Sequence, residues 1–265
     1  HKGGGVVGSC AGSPLQPRKG PTRGPFSCGP AGAPADPIGY DPCMRILATL
    51  LAIAMMAGPS AFADAPRALS ASDTVSDVDL PSWTVRWWQW AFSMDQRLSP
   101  VRDRTGTQCA RNQSGPVWFL TGGFGVDQVI RYCKVPADRY LFFPLVNLLR
   151  APGDQQDVTC EQVQQAVTFR NTEIINVWLR GNSHNLRDSG VLLSSPDCFD
   201  LTARMPESTN APSQYPAATS GLWVMLEPLP PGKHILQFGA QDTRDGRPND
   251  GIVQAVEYVL TVEAE

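Results

Sequence analysis

Residues 221–262 read GLWVMLEPLPPGKHILQFGAQDTRDGRPNDGIVQAVEYVLTV, three apolar segments separated by two polar, turn-rich segments. Apolar and polar side chains alternate within the last two segments, and the PPGK sequence between the first two favours a tight turn. The pattern therefore predicts strands over 221–229, 234–239 and 252–262 that pair as an antiparallel meander.

Further apolar segments upstream extend this pattern. Strands are predicted over 116–120, 128–135, 139–147 and 173–179, with one or two more between residues 191 and 204. Pro144 is expected at a bulge or on an edge strand, because proline donates no ladder hydrogen bond. Many short strands separated by turns are typical of a sandwich. We therefore predict a mainly β fold, an antiparallel β-sandwich with one or two packed helices.

Two segments have helical spacing. After a possible cap at Ser82, one helical face carries Trp83, Trp87, Trp90 and Met94. The sequence TCEQ from residue 159 is a capping box and predicts a second helix over 160–169. The first helix is apolar on most sides, which favours burial under a sheet over exposed stacking on sugars or a membrane interface. Trp88 is the expected exception.

The N-terminal part has a different composition. Residues 1–43 contain 10 Gly and 8 Pro and no helical or strand periodicity, so we interpret them as a non-native upstream extension or a disordered one. Residues 44–63 combine Arg45, an apolar run and the motif AFA, which predicts a signal peptide. Residues 64–80 are expected to be a flexible leader, and residues 81–265 a single β-rich domain. The protein is thus predicted to be exported, to the periplasm or the extracellular space.

Charge and cysteine content change once residues 1–63 are set aside. The formal net charge goes from −3 to −6, which gives no basic surface for nucleic acid. Four of seven cysteines remain, and an even number in an exported chain predicts two disulfides with three possible connectivities. We favour Cys109–Cys133 and Cys160–Cys198, because neighbouring cysteines close local loops. No apolar run after the signal peptide is long enough for a transmembrane segment.

A set of short motifs resembles a family of secreted bacterial proteins of uncharacterised function. The motifs are W-x-x-W at Trp87, D-x-T-G-x-x-C-A-x-x-Q-S-G-P-V-W-F-L-x-G at 103–122 and P-P-G-K-H at 230–234. The resemblance implies export and a single domain. It implies no activity, cofactor or substrate.

Candidate functional residues are few. Trp88, Asp103, Arg131 and His234 form the candidate ligand surface, although turn capping is the favoured explanation of Asp103 and a structural hydrogen bond that of His234. Asp103 and Asp127 are a possible carboxylate pair for glycoside hydrolysis. Oxygen donors that suit calcium occur at Asp242, Asp245, Asn249 and Asp250, but without EF-hand spacing.

No nucleophile, zinc or phosphate-loop motif is present, so no cofactor and no catalytic residue are predicted. The leading hypothesis is a non-catalytic exported β-sandwich that binds an unknown ligand or envelope partner. The alternatives are a hydrolase of envelope or extracellular glycans and a structural envelope protein.

Overall fold

The computed structural model describes residues 66–123, 128–153, 157–168, 174–242 and 253–264. The predicted extension and signal peptide lie outside these residues. The first elements are β1 (Thr74–Val75), β2 (Val78–Asp79), α1 (Leu80–Phe92), β3 (Val117–Phe119), β4 (Gln128–Pro136) and β5 (Tyr140–Arg150). They are followed by α2 (Cys160–Ala166), β6 (Ile174–Gly181), β7 (His184–Asn185), β8 (Val191–Ser194), β9 (Ala218–Leu226), β10 (Gly232–Asp242) and β11 (Val253–Glu263).

Two sheets form a sandwich, which confirms the predicted fold class. One sheet has the strand order β4-β11-β10-β6-β7, and the other has the order β3-β5-β9-β8. The pairing is not antiparallel throughout, since β11 runs parallel to β4 and β3 runs parallel to β5. Connections that cross between the two sheets bring these strands together in the same direction.

The predicted three-strand meander is wrong at its first connection. β10 and β11 do pair as antiparallel neighbours, but β9 lies in the other sheet between β5 and β8. Residues 227–231 read EPLPP, and prolines lack the N–H that a hairpin ladder needs. The chain therefore leaves one sheet here and enters the other.

The interior has two main apolar layers. Between the sheets, the four-stranded sheet contributes Leu141, Phe143, Val224 and Leu226, and the five-stranded sheet contributes Leu236, Phe238, Val256 and Tyr258. On the other side of the four-stranded sheet, α1 buries Trp83, Trp87 and Trp90 against Phe142, Trp223 and Met225. The prediction that the tryptophan helix is covered by a sheet is confirmed.

The helix ends differ in detail from the sequence prediction. Asp79, not Ser82, caps α1, and its carboxylate accepts a hydrogen bond of 3.1 Å from the backbone N–H of Ser82. α2 has the predicted capping box of Thr159 and Gln162 but ends at Ala166, three residues earlier than expected. Among the described residues, no helix has the length and hydropathy required to cross a membrane.

Residues 66–80 do not form a flexible leader. They include the small β1–β2 hairpin, the buried side chains of Leu69 and Val75, and a hydrogen bond from the Leu69 N–H to the Met225 carbonyl. The sequence predicts a flexible leader because its few large apolar residues are widely spaced. Leu69, Val75, Val78 and Leu80 nevertheless pack into the apolar cluster around α1.

Pro144 lies at an irregularity of β5, as predicted. The register with β9 shifts between Pro144 and Val146, and β5 is an interior strand between β3 and β9. The bulge permits a proline inside the sheet because the ladder is already interrupted there.

Candidate functional site

A cavity of about 670 Å³ lies between α1, the loop that follows it, and strands β4 and β5. Its volume falls in the range of small-molecule sites, roughly 300–1,000 Å³. The apolar part of the wall includes Trp88 and Phe92 from α1, with Val101, Val129 and Leu149 opposite them. The charged residues among its described lining are three arginines, Arg102, Arg104 and Arg131.

Trp88 is held in a defined orientation at this wall. Its indole N–H donates a 2.8 Å hydrogen bond to the Thr219 hydroxyl, and its ring packs edge-on against Trp87 at 4.9 Å. The residue is half-buried, unlike its fully packed neighbours Trp87 and Trp90. The structure thus agrees with the expectation that Trp88 differs from the other tryptophans of this helix.

Arg131 is a buried cation with an exposed fraction of only 2%. Its Nε donates to the Asp103 carbonyl at 2.6 Å, and its Nη1 donates to the Thr121 and Gly122 carbonyls at 2.9 and 3.0 Å. The Tyr258 ring lies 5.5 Å from the guanidinium carbon. No carboxylate in the described part of the chain lies within ion-pair distance of Arg131, so neutral carbonyls solvate its charge.

Asp103 organises the loop that carries the other two arginines. One carboxylate oxygen accepts hydrogen bonds from the Thr105 N–H and hydroxyl at 2.9 and 2.8 Å, and the other accepts from the Gln108 N–H at 2.7 Å. Burial alone would raise the pKa of Asp103, but the hydrogen bonds from Gln108 and Thr105 outweigh it, and the pKa lies below its usual value. The Asp103 side chain therefore holds the loop in place through these hydrogen bonds, as the turn-capping interpretation predicts.

The same loop is fastened to β4. The Tyr132 N–H donates to the Thr105 carbonyl at 2.9 Å, and the Cys109–Cys133 disulfide joins the end of the loop to the strand. Gly106 has a φ of +89°, and a side chain there would collide with the Tyr132 backbone. Arg102 and Arg104 therefore lie on a loop that a hydrogen bond and a disulfide hold against β4.

We expect Asp103→Asn to destabilise the fold by about 1–2 kcal/mol at pH 7, since the amide is a poorer acceptor for these donors. The lowered pKa means that the carboxylate contributes stability above about pH 4 and loses it as pH falls through its folded-state pKa. The difference between the two proteins should therefore shrink at pH 3. Urea unfolding at pH 7 and pH 3, followed by tryptophan fluorescence, measures both differences, and an equal gap at the two pH values would contradict the assignment.

His234 lies apart from the cavity. It is 4% exposed, its Nε2 donates to the Pro230 carbonyl at 2.7 Å, and its Nδ1 is 2.8 Å from the side-chain nitrogen of Asn182. Because a carbonyl only accepts, the ring is protonated on Nε2, and its Nδ1 accepts from Asn182. His234 thus links the segment between β9 and β10 to the β6–β7 turn, and it does not line the cavity beside Trp88.

The remaining sequence candidates give no site. Asp127, Asp245, Asn249 and Asp250 lie outside the described residues, and of Asp242 only its position at the end of β10 is described. Within the described ranges, no group of three or more His, Cys, Asp or Glu residues is placed to hold a metal ion.

Both disulfides pair as favoured from the sequence, Cys109 with Cys133 and Cys160 with Cys198. Sequence reasoning missed Arg102 and Arg104, although they flank Asp103 in the motif VRDRTG. Their shared charge next to a loop-anchoring aspartate was the available signal. The sequence did not show that β4 places Arg131 beside these two arginines.

Comparison with protein-family models, curated proteins and solved structures finds no significant match to this chain. The functional assignment therefore depends on the geometry of the molecule.

Proposed function

We propose that this protein is an exported binding protein that holds a small amphiphilic anion in the cavity beside Trp88. The observation that carries the proposal is the composition of the cavity wall, in which an aromatic and aliphatic surface is combined with three arginines. An apolar wall with a few convergent polar groups is the usual make-up of a small-molecule site.

The charge of the ligand follows from the arginines. Arg131 lines the cavity and is desolvated, and the described hydrogen bonds of its guanidinium are to neutral oxygen atoms, so its positive charge has no carboxylate partner among the described residues. A carboxylate, sulfate or phosphate head group would supply the opposite charge, and guanidinium groups bind such oxygens in pairs. Arg102 is exposed at the same cavity and would add long-range attraction.

The apolar portion of the ligand follows from the opposite wall. Trp88 and Phe92 offer ring faces and edges, and three aliphatic side chains complete the surface. Burial of an alkyl or aryl group there is favourable by about 25 cal/mol per Å² of apolar surface removed from water.

Export is supported by two observations. Residues 44–63 have the pattern of a signal peptide, and both disulfides fit an oxidising compartment. The hydrolase alternative receives less support, because most glycosidases use two facing carboxylates and the described lining of this cavity has none.

Two probes with the same tail and opposite head groups test the proposal. We expect dodecanoate to bind the full chain with quenching or enhancement of tryptophan fluorescence, and dodecyltrimethylammonium not to bind. Arg102→Gln should weaken dodecanoate binding severalfold, because one of the three positive charges at the cavity is lost.

Arg97→Gln is the matched control. Arg97 is an exposed arginine a few residues away, it pairs with Asp95 at 2.8 Å, and it does not line the cavity. Equal binding of the two probes, or equal weakening by both substitutions, would contradict the proposed site.

A further inference from the structure

The outward face of the five-stranded sheet carries an aromatic residue seated on a glycine. In the sheet register, Trp178 of β6 lies opposite Gly239 of β10, which lies opposite Ala255 of β11. A side chain at Gly239 would collide with the six-membered ring of Trp178, so the indole covers the glycine. Trp178 is half-buried in this position and is therefore accessible from one side.

The next row of the same face is polar. Arg180, Gln237 and Glu257 lie side by side across β6, β10 and β11, and the Gln237 amide donates to the Glu257 carboxylate at 2.6 Å. Together with Trp178 and Gln128 they line a hollow of about 360 Å³. One positive and one negative charge are present among these side chains, which favours a neutral ligand over a strongly charged one.

A third row is apolar and exposed. Ile235 is 48% exposed and Tyr132 is 66% exposed, with Val259 between them in the register. An exposed aromatic and aliphatic row on a sheet is uncommon away from binding surfaces. The face thus carries both exposed apolar side chains and hydrogen-bonding side chains.

We propose that this face is a binding platform for a neutral β-1,4-linked polysaccharide. A sugar ring has apolar C–H faces and hydroxyl groups around its edge, so its face packs on the Trp178 indole while its hydroxyls bond to Gln237, Glu257 and Arg180. A β-1,4-linked chain is an extended ribbon, so its successive rings can lie across the neighbouring strands β6, β10 and β11. The α-1,4-linked chain curls into a helix and does not present such a ribbon.

This platform is independent of the arginine-lined cavity. The two sites share no lining residue, and the cavity opens beside α1, whereas the platform lies on the outer face of β6, β10 and β11. Polysaccharide binding at the platform is therefore tested independently of anion binding in the cavity.

Sedimentation of the full chain with insoluble polysaccharides tests the platform. We expect the protein to be retained on microcrystalline cellulose or on chitin, and not on insoluble amylose. Trp178→Ala should weaken binding about tenfold or more, because a stacked ring is lost. Tyr215→Ala is the control, since Tyr215 is an exposed aromatic residue that does not line the platform.

If Trp178→Ala does not fold, Gln237→Ala tests the platform instead. The Gln237 side chain bonds to Glu257 at the surface, so its loss leaves the core intact. A severalfold loss of binding by that variant supports the platform. Failure of the protein to sediment with either β-1,4-linked polymer overturns it. Unchanged binding by a folded Trp178→Ala or by Gln237→Ala overturns it as well.

Discussion

Replacement of Trp87 by alanine is expected to lower the free energy of unfolding by about 3–5 kcal/mol, the usual cost of removing a large aromatic side chain from a core. Trp87 is 2% exposed and packs edge-on against Trp223, with ring centroids 5.5 Å apart. Its indole N–H also donates a 2.8 Å hydrogen bond to the Leu120 carbonyl. The substitution thus leaves a cavity between α1 and the four-stranded sheet together with an unpaired buried acceptor.

Trp88→Ala is the matched control for this prediction, because the two tryptophans are adjacent in the chain. Trp88 is half-buried and lines the cavity, so its loss should cost only about 1–2 kcal/mol and should weaken dodecanoate binding. Urea unfolding followed by circular dichroism measures both stabilities. Equal destabilisation by the two substitutions would contradict the division between a packing residue and a cavity residue.

Removal of the Cys109–Cys133 disulfide by the double substitution to alanine is expected to cost roughly 3–4 kcal/mol, because the bridge closes a loop across a sequence separation of 24. It should also weaken binding of an anion. The bridge fastens the end of the loop that carries Arg102 and Arg104 to β4, which carries Arg131. Without it, the three arginines no longer have a shared rigid support.

The second disulfide is the control for this effect. Cys160–Cys198 spans a sequence separation of 38 and should contribute a similar stabilisation, but it ties α2 to the segment before β9, and neither cysteine lines the cavity or supports the arginine-bearing loop. Its removal should lower the midpoint of thermal unfolding and leave dodecanoate binding unchanged. If both double substitutions affect binding equally, the loss reflects global destabilisation and the loop has no special role.

Much of the fold was accessible from local patterns. The apolar segment over 128–135 predicted β4, alternation over 234–239 predicted β10, and the spacing of Trp83, Trp87 and Trp90 predicted α1 and its burial. Such patterns are reliable because they report which face of an element avoids water. Helix ends were less accurate, since several residues near Asp79 are able to cap.

The site was only partly predictable. Trp88, Arg131 and Asp103 were named from the sequence, and the structure brings the first two to one cavity and uses the third to hold its loop. His234 was named on residue type alone, and it serves a structural purpose. Arg102 and Arg104 were overlooked, because charged residues in a turn-rich loop are usually solvated.

The sequence alone was sufficient to establish the β-rich class, the buried tryptophan helix and an even set of four cysteines for two bridges. These properties depend on periodicity and on residue chemistry within short segments. The tertiary structure alone decided that β9 and β10 belong to different sheets, that β4 runs parallel to β11, and that Trp178 lies over Gly239. Those arrangements depend on which distant segments meet, and the free energy of such contacts is not encoded in any local pattern.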